Sequence, residues 1–296
     1  MALQTLQPHT KDLGGGFQVR RLLPSAARQA VGPFLFFDHF GPITAGPEDN
    51  HDVRPHPHIG LATVTYLFEG AMQHRDSTGI SQRIEPGAIN WMTAGRGIVH
   101  SERTPDDLRG VERRSHGLQL WAALPAEHEE AEPRFEHTAA ARIPQRVEAG
   151  VTTRVLIGAA HGLRSPVGTL SPTLYVDYAL EAGAATALPT TADAQERALY
   201  GIDAAFEVRI DGVSERVEPR TMAVLPEGAV ARLVAADAAA RVVLIGGTPL
   251  GHRFLWWNFV SSRKDRLLQA GDDWAADRLG QVPGETERIP LPERRP

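Results

Sequence analysis

Short apolar runs recur along the whole chain, and almost none has helical spacing. Phe34–Phe37, Leu61–Phe68, Ala88–Met92, Gly117–Trp121, Thr152–Ile157, Leu174–Tyr178, Phe206–Ile210 and Arg241–Ile245 are rich in branched and aromatic residues. Turn-forming stretches divide them, among them Asp76–Gly79, Glu85-Pro-Gly87, Asp211-Gly212 and Pro226–Gly228. Side chains of this kind fit a pleated, half-buried surface, and many short strands at such spacing predict an all-β sandwich or barrel. The 28 glycines and 22 prolines suit the many turns such a fold needs. The pattern changes only after Phe254–Phe259. There Ser261 or Ser262 is placed to cap a helix running to about Leu279, with Leu267, Leu268, Trp274 and Leu279 on its apolar face and a kink after Gly271. From Pro283 to Pro296 the chain should be extended and partly mobile.

An internal repeat organises the strands. Gly79–Pro86 (GISQRIEP) and Gly212–Pro219 (GVSERVEP) share Gly, Ser, Arg, Glu and Pro at matching places, 133 residues apart. Met92–Gly95 and Leu225–Gly228 stand at the same offset, so the register runs on without a gap. A strand–turn–strand match at nearly half the chain length predicts two tandem β domains. The proline- and charge-rich stretch from Ala126 to Pro144 is the natural seam, giving domains at 1–135 and 136–296.

Composition narrows the function. A net charge of −5 and a pI near 6.2 disfavour direct nucleic-acid binding, which wants a basic face. No apolar run approaches the ~18 residues of a membrane span, and Met1–Asp12 lacks the apolar core of a secretory signal, so a cytoplasmic location is expected. Zero cysteines leave nitrogen and oxygen as the only metal donors.

Those donors are concentrated in two places. His56-Pro57-His58 and His100-Ser101-Glu102 each place two ligand types two residues apart. Alternate side chains of a strand share a face, so two such strands in opposition would aim three imidazoles and one carboxylate at a single divalent metal. That set leaves coordination positions open, as catalytic sites do, and suits Fe(II), Mn(II), Ni(II), Cu(II) or Zn(II). Shifting the four residues by the 133-residue repeat lands on Pro189, Thr191, Leu233 and Ala235, so one half should hold the site and the other should not. Pro55 and Pro57 flank the first histidine and predict an edge or bulged strand. His74 and Asp76 read chiefly as turn residues, with His74 a weaker pocket candidate, and Gln119 could line the pocket. Trp91 and Trp121 read as packing, and Arg96 as a solvated loop charge.

These motifs resemble the pirin family of the bicupin superfamily. The resemblance lies in Pro33-Phe34-Leu35 with Asp38 and Phe40, His56–Gly60, Tyr66–Gly70, His74–Ser77, Trp91–Glu102 and Gly117–Trp121. It implies two tandem cupin (double-stranded β-helix) barrels with the chain ends packing back across the boundary. It also implies an Fe(II) site on His56, His58, His100 and Glu102. Pirins are described as quercetin 2,3-dioxygenases and, in animals, as iron-dependent nuclear cofactors. The implied functions are therefore cleavage of a flavonol-like, enolisable aromatic by O₂ with Glu102 as general base, or metal-dependent sensing through a protein partner. One position departs from the family: Ala62 stands four residues after His58, where cupin motifs commonly carry Glu.

Overall fold

The computed structural model describes residues 3–14, 16–191 and 193–293. It is built of strands, with a single α-helix, Lys264–Ala275, among the described residues. Two compact units emerge, and each contains a four-stranded sheet built on one plan. In one unit the neighbours run Val53–His58, Ile98–Arg103, Met72–Asp76, Ser81–Ile84. In the other they run Ala185–Ala187, Ala231–Val234, Phe206–Ile210, Val213–Val217. In both, the first and last strands of the set pair, and the repeated Ser-x-Arg motif lies on the outer strand of the middle hairpin. The repeat is thus one antiparallel hairpin used twice. Each four-stranded sheet is matched by a seven-stranded one, the two-sheet arrangement of a cupin barrel.

The units do not follow the linear division at 135/136. The histidine-bearing unit comprises Thr10–Arg20, Phe37–Ala140 and Leu250–Pro296; the other comprises Met1–His9, Arg21–Phe36 and Ala141–Pro249. The helix and tail therefore belong with the first barrel, not the second. The reason is burial: Leu267, Ala270 and Trp274 at helical spacing form one cluster with Ile59 and Val99, which adjoin His58 and His100.

Helix boundaries also differ from expectation. No side chain caps the N-terminus, because Ser261 and Ser262 instead donate their hydroxyls to the buried Glu129 carboxylate at 2.8 and 3.1 Å. At the other end Asp277 takes a left-handed φ of 56°, and the Arg278 N–H bonds the Asp273 carbonyl, closing the helix before Leu279. Gly271 marks close packing rather than a kink: a Cβ there would lie 2.8 Å from the Trp256 ring. The tail through Glu293 carries no regular secondary structure, and the last three residues fall outside the described residues.

In the second unit the position matching His100 is filled by core. Leu233, matching His100, is wholly buried among Val208, Phe206 and Leu244, and it pairs with Thr186 as His100 pairs with His56. A leucine and a threonine thus stand where the first unit pairs two imidazoles. Trp274→Ala should cost about 3–5 kcal/mol by leaving a cavity against Ile59 and Val99, measurable as a lower midpoint in denaturant unfolding.

Candidate metal centre

The pairing of two strands builds this site. Val53–His58 runs antiparallel to Ile98–Arg103, with His56 opposite His100 and His58 opposite Ile98. Side-chain alternation puts His56 and His58 on one face, and their cross-strand partner His100 joins them there. Ring centroids lie 5.0 Å apart for His56–His58, 4.3 Å for His56–His100 and 5.1 Å for His58–His100. One nitrogen from each falls within 4.8 Å of the others. The His56 strand is the edge of its sheet and carries a register shift between His56 and Val53, as its two prolines predicted.

Hydrogen bonds fix which nitrogen each ring turns inward. A backbone carbonyl can only accept, so His56 donates Nδ1–H to the Arg54 carbonyl at 2.9 Å. His58 likewise donates Nδ1–H to the Asn258 carbonyl at 3.1 Å. Both rings are left with the lone pair on Nε2. Asn258 lies in the two-residue connection between strands Phe254–Trp256 and Phe259–Ser261. Its neighbour Trp257 adopts a φ of 55°, uncommon for a bulky side chain, and its ring packs on Phe259 and Trp274 at 5.4 and 6.4 Å.

His100 differs from the other two. Its Nε2 is buried without a hydrogen-bond partner, and its Nδ1 lies 3.4 Å from Nδ1 of His74. His74 in turn donates Nε2–H to Asp76 Oδ2 at 2.9 Å. Buried polar atoms are nearly always satisfied, so an orphaned imidazole nitrogen aimed at two other imidazoles is what a metal-binding group leaves to be filled. The residues fit a divalent metal.

Burial sets the protonation states. Desolvation lowers His56 to about 4 and holds His58 and His100 well below the usual histidine value, so all three are neutral at physiological pH. Glu102 behaves oppositely. Its carboxylate lies outside the histidine group, on the strand position opposite His74. Part of the residue still meets solvent, yet its carboxyl sits among protein atoms, and burial alone raises it to about 7.

The remaining candidates are placed clearly. Trp121, expected as packing, meets His58 edge-on at 5.1 Å and so walls the site. Trp91 is core, its indole N–H donating to Thr93. Gln119 accepts a 2.8 Å hydrogen bond from the Thr65 hydroxyl and shares the Trp121 face. Arg96 is exposed and pairs with Glu132. Ala62 pairs with Ala122 and so lies on the face opposite Thr63 and Trp121. An acid there would point away from the histidines, so its absence costs the site nothing. Sequence reasoning missed the Asn258 carbonyl, a backbone acceptor 200 residues from its histidine, which no residue-type signal marks.

The pirin sequence profile matches residues 16–122, and the profile of the pirin C-terminal cupin domain matches 175–280. The chain belongs to the pirin family. A pirin-like protein of Caulobacter vibrioides is 48% identical over 96% of both chains. Human pirin is 35% identical over 87% of this chain and 86% of its own. Among solved structures, a quercetin 2,3-dioxygenase from Acinetobacter baumannii superposes with a TM-score of 0.88 at 34% identity. That match covers 99% of this pirin and 97% of the other chain. No helix among the described residues of this pirin is long and apolar enough to cross a membrane.

The pKa shifts give a signed test. A histidine whose folded value is lowered takes up its proton only on unfolding, so its contribution to stability is lost as pH falls from about 6.5 towards the folded value. Glu102, raised, acts the other way: between about 4.5 and 7 it holds a proton that the unfolded chain has released. Near pH 5.5 the three histidines outweigh the one carboxyl, and the metal-free protein should lose stability on acidification. Glu102→Gln should steepen that loss by about one proton, read from urea midpoints between pH 5 and 6.

Proposed function

We propose that this pirin is a metal-dependent dioxygenase that cleaves a flavonol-like or related enolisable aromatic with O₂. The convergence of three neutral, pre-oriented imidazoles carries the reading, and the structural likeness to a quercetin 2,3-dioxygenase supports it. His56, His58 and His100 would hold the metal, with iron(II) proposed as the native ion, and Glu102 would complete the set. A divalent metal bound there supplies Lewis acidity towards a coordinated hydroxyl and a centre at which O₂ can react.

The chain's own groups do the rest. The histidine N–H bonds to Arg54, Asn258 and His74 hold the three rings against rotation. Glu102, its carboxyl desolvated by burial, would take the proton of an enolic hydroxyl as general base. Trp121 excludes water from one side of His58, and the Gln119–Thr65 pair offers polar contacts on the same barrel face. A small aromatic substrate and O₂ are the proposed partners, with the reaction in the cytoplasm.

A second reading is a non-catalytic, iron-dependent redox sensor that binds a protein partner. The position of Glu102 outside the histidine group favours it. Anaerobic loading with Fe(II), followed by quercetin and O₂, separates the two. The enzyme should consume the flavonol band and release carbon monoxide, and His56→Ala should abolish both by removing a ligand. Glu102→Gln should slow turnover by about 10²–10⁴-fold while iron stays bound. Tight iron binding without oxygen uptake across a panel of phenols would replace the dioxygenase with the sensor.

A further inference from the structure

We propose that His74 and Asp76 form a hydrogen-bond relay that orients His100 and makes it a stronger donor than His56 or His58. The proposal rests on the metal-centre reading above.

The asymmetry is visible in the acceptors. His56 and His58 each donate to a neutral carbonyl, whereas His100 faces a second imidazole that is itself bonded to a carboxylate. Asp76 divides its two oxygens between two tasks. Oδ1 accepts from Thr78 N, Thr78 Oγ1 and Ile80 N at 2.9, 2.6 and 3.3 Å, which serves the turn. Oδ2 is given to His74 alone. A turn residue needs only the first oxygen, yet Asp76 and His74 are both buried, and His74 is clamped flat on Phe135 at 4.2 Å.

Tautomers then follow in sequence. A carboxylate only accepts, so His74 carries its hydrogen on Nε2 and presents a lone pair at Nδ1. That lone pair accepts Nδ1–H from His100 and leaves the orphaned His100 Nε2 as the donor towards the other two rings. Negative charge on Asp76, transmitted through two imidazoles, increases electron density on that nitrogen. The effect favours the more highly charged state of a bound redox metal.

Asp76→Asn tests the relay without deleting the turn. The three turn donors would hold the amide oxygen, which turns the NH₂ towards His74. His74 must then accept at Nε2 and carry its hydrogen on Nδ1, facing the Nδ1–H of His100. His100 is driven to the tautomer with hydrogen on Nε2, where a metal must bind. Two quantities report this: the nickel(II) dissociation constant, by chelator competition, and the midpoint potential of the iron-loaded protein. Asp76→Asn should weaken nickel about 10–100-fold and move the iron potential upward. In a His74→Phe background, which keeps the stack on Phe135, the same substitution should change neither quantity. A purely turn-forming Asp76 would give equal effects with and without His74, and that result, or parental values in Asp76→Asn, would overturn the relay. If the parent protein itself binds neither ion, the metal-centre reading fails and takes the relay with it. Quercetin turnover enters neither measurement.

Discussion

Everything in this pirin's site depends on one cross-strand register, His56 against His100. Strand side chains alternate with period two, so a slip of one residue would send His56 and His58 to the opposite face and dissolve the triad. The edge strand that carries them is short and interrupted by prolines, a poor candidate to fix register by itself. Its register is held from outside. The Val260 N–H bonds the Ile59 carbonyl, and the Ile289 N–H bonds the Pro55 carbonyl. Glu285 receives Ser101 and Arg103, the residues flanking Glu102.

This explains why a segment remote in sequence belongs to the histidine-bearing barrel. The helix Lys264–Ala275 adds apolar burial next to the ligand strands, while the hairpin before it adds one carbonyl at His58. Packing gives rigidity without direction, and the carbonyl gives direction with little burial. An imidazole ligand needs both, because a ring that is free to flip offers the metal the wrong nitrogen half the time.

The sequence revealed the parts whose physics is local. Strand runs, the hairpin repeat and the two-residue spacing of the histidines are visible because each follows from neighbouring residue types. The linear domain boundary was not legible: nothing in Leu267 or Trp274 says which barrel their face will cover. Asp76 was visible as a turn residue, but its second oxygen and His74 acquire meaning only once His100 is folded beside them. Glu102 was read as a ligand from its i, i+2 relation to His100; the fold places it apart from the three rings, desolvated and raised towards neutrality.

The Asn258 carbonyl has a consequence for the order of events during synthesis. Two hundred positions separate His58 from this acceptor, so the chain is made far past both histidines before their barrel gains it. A growing polypeptide therefore exposes His58 with both tautomers open, in a cleft that has not yet received its C-terminal hairpin. The single ring orientation of His58 is thus a property of the finished fold, acquired only when Asn258 is in place.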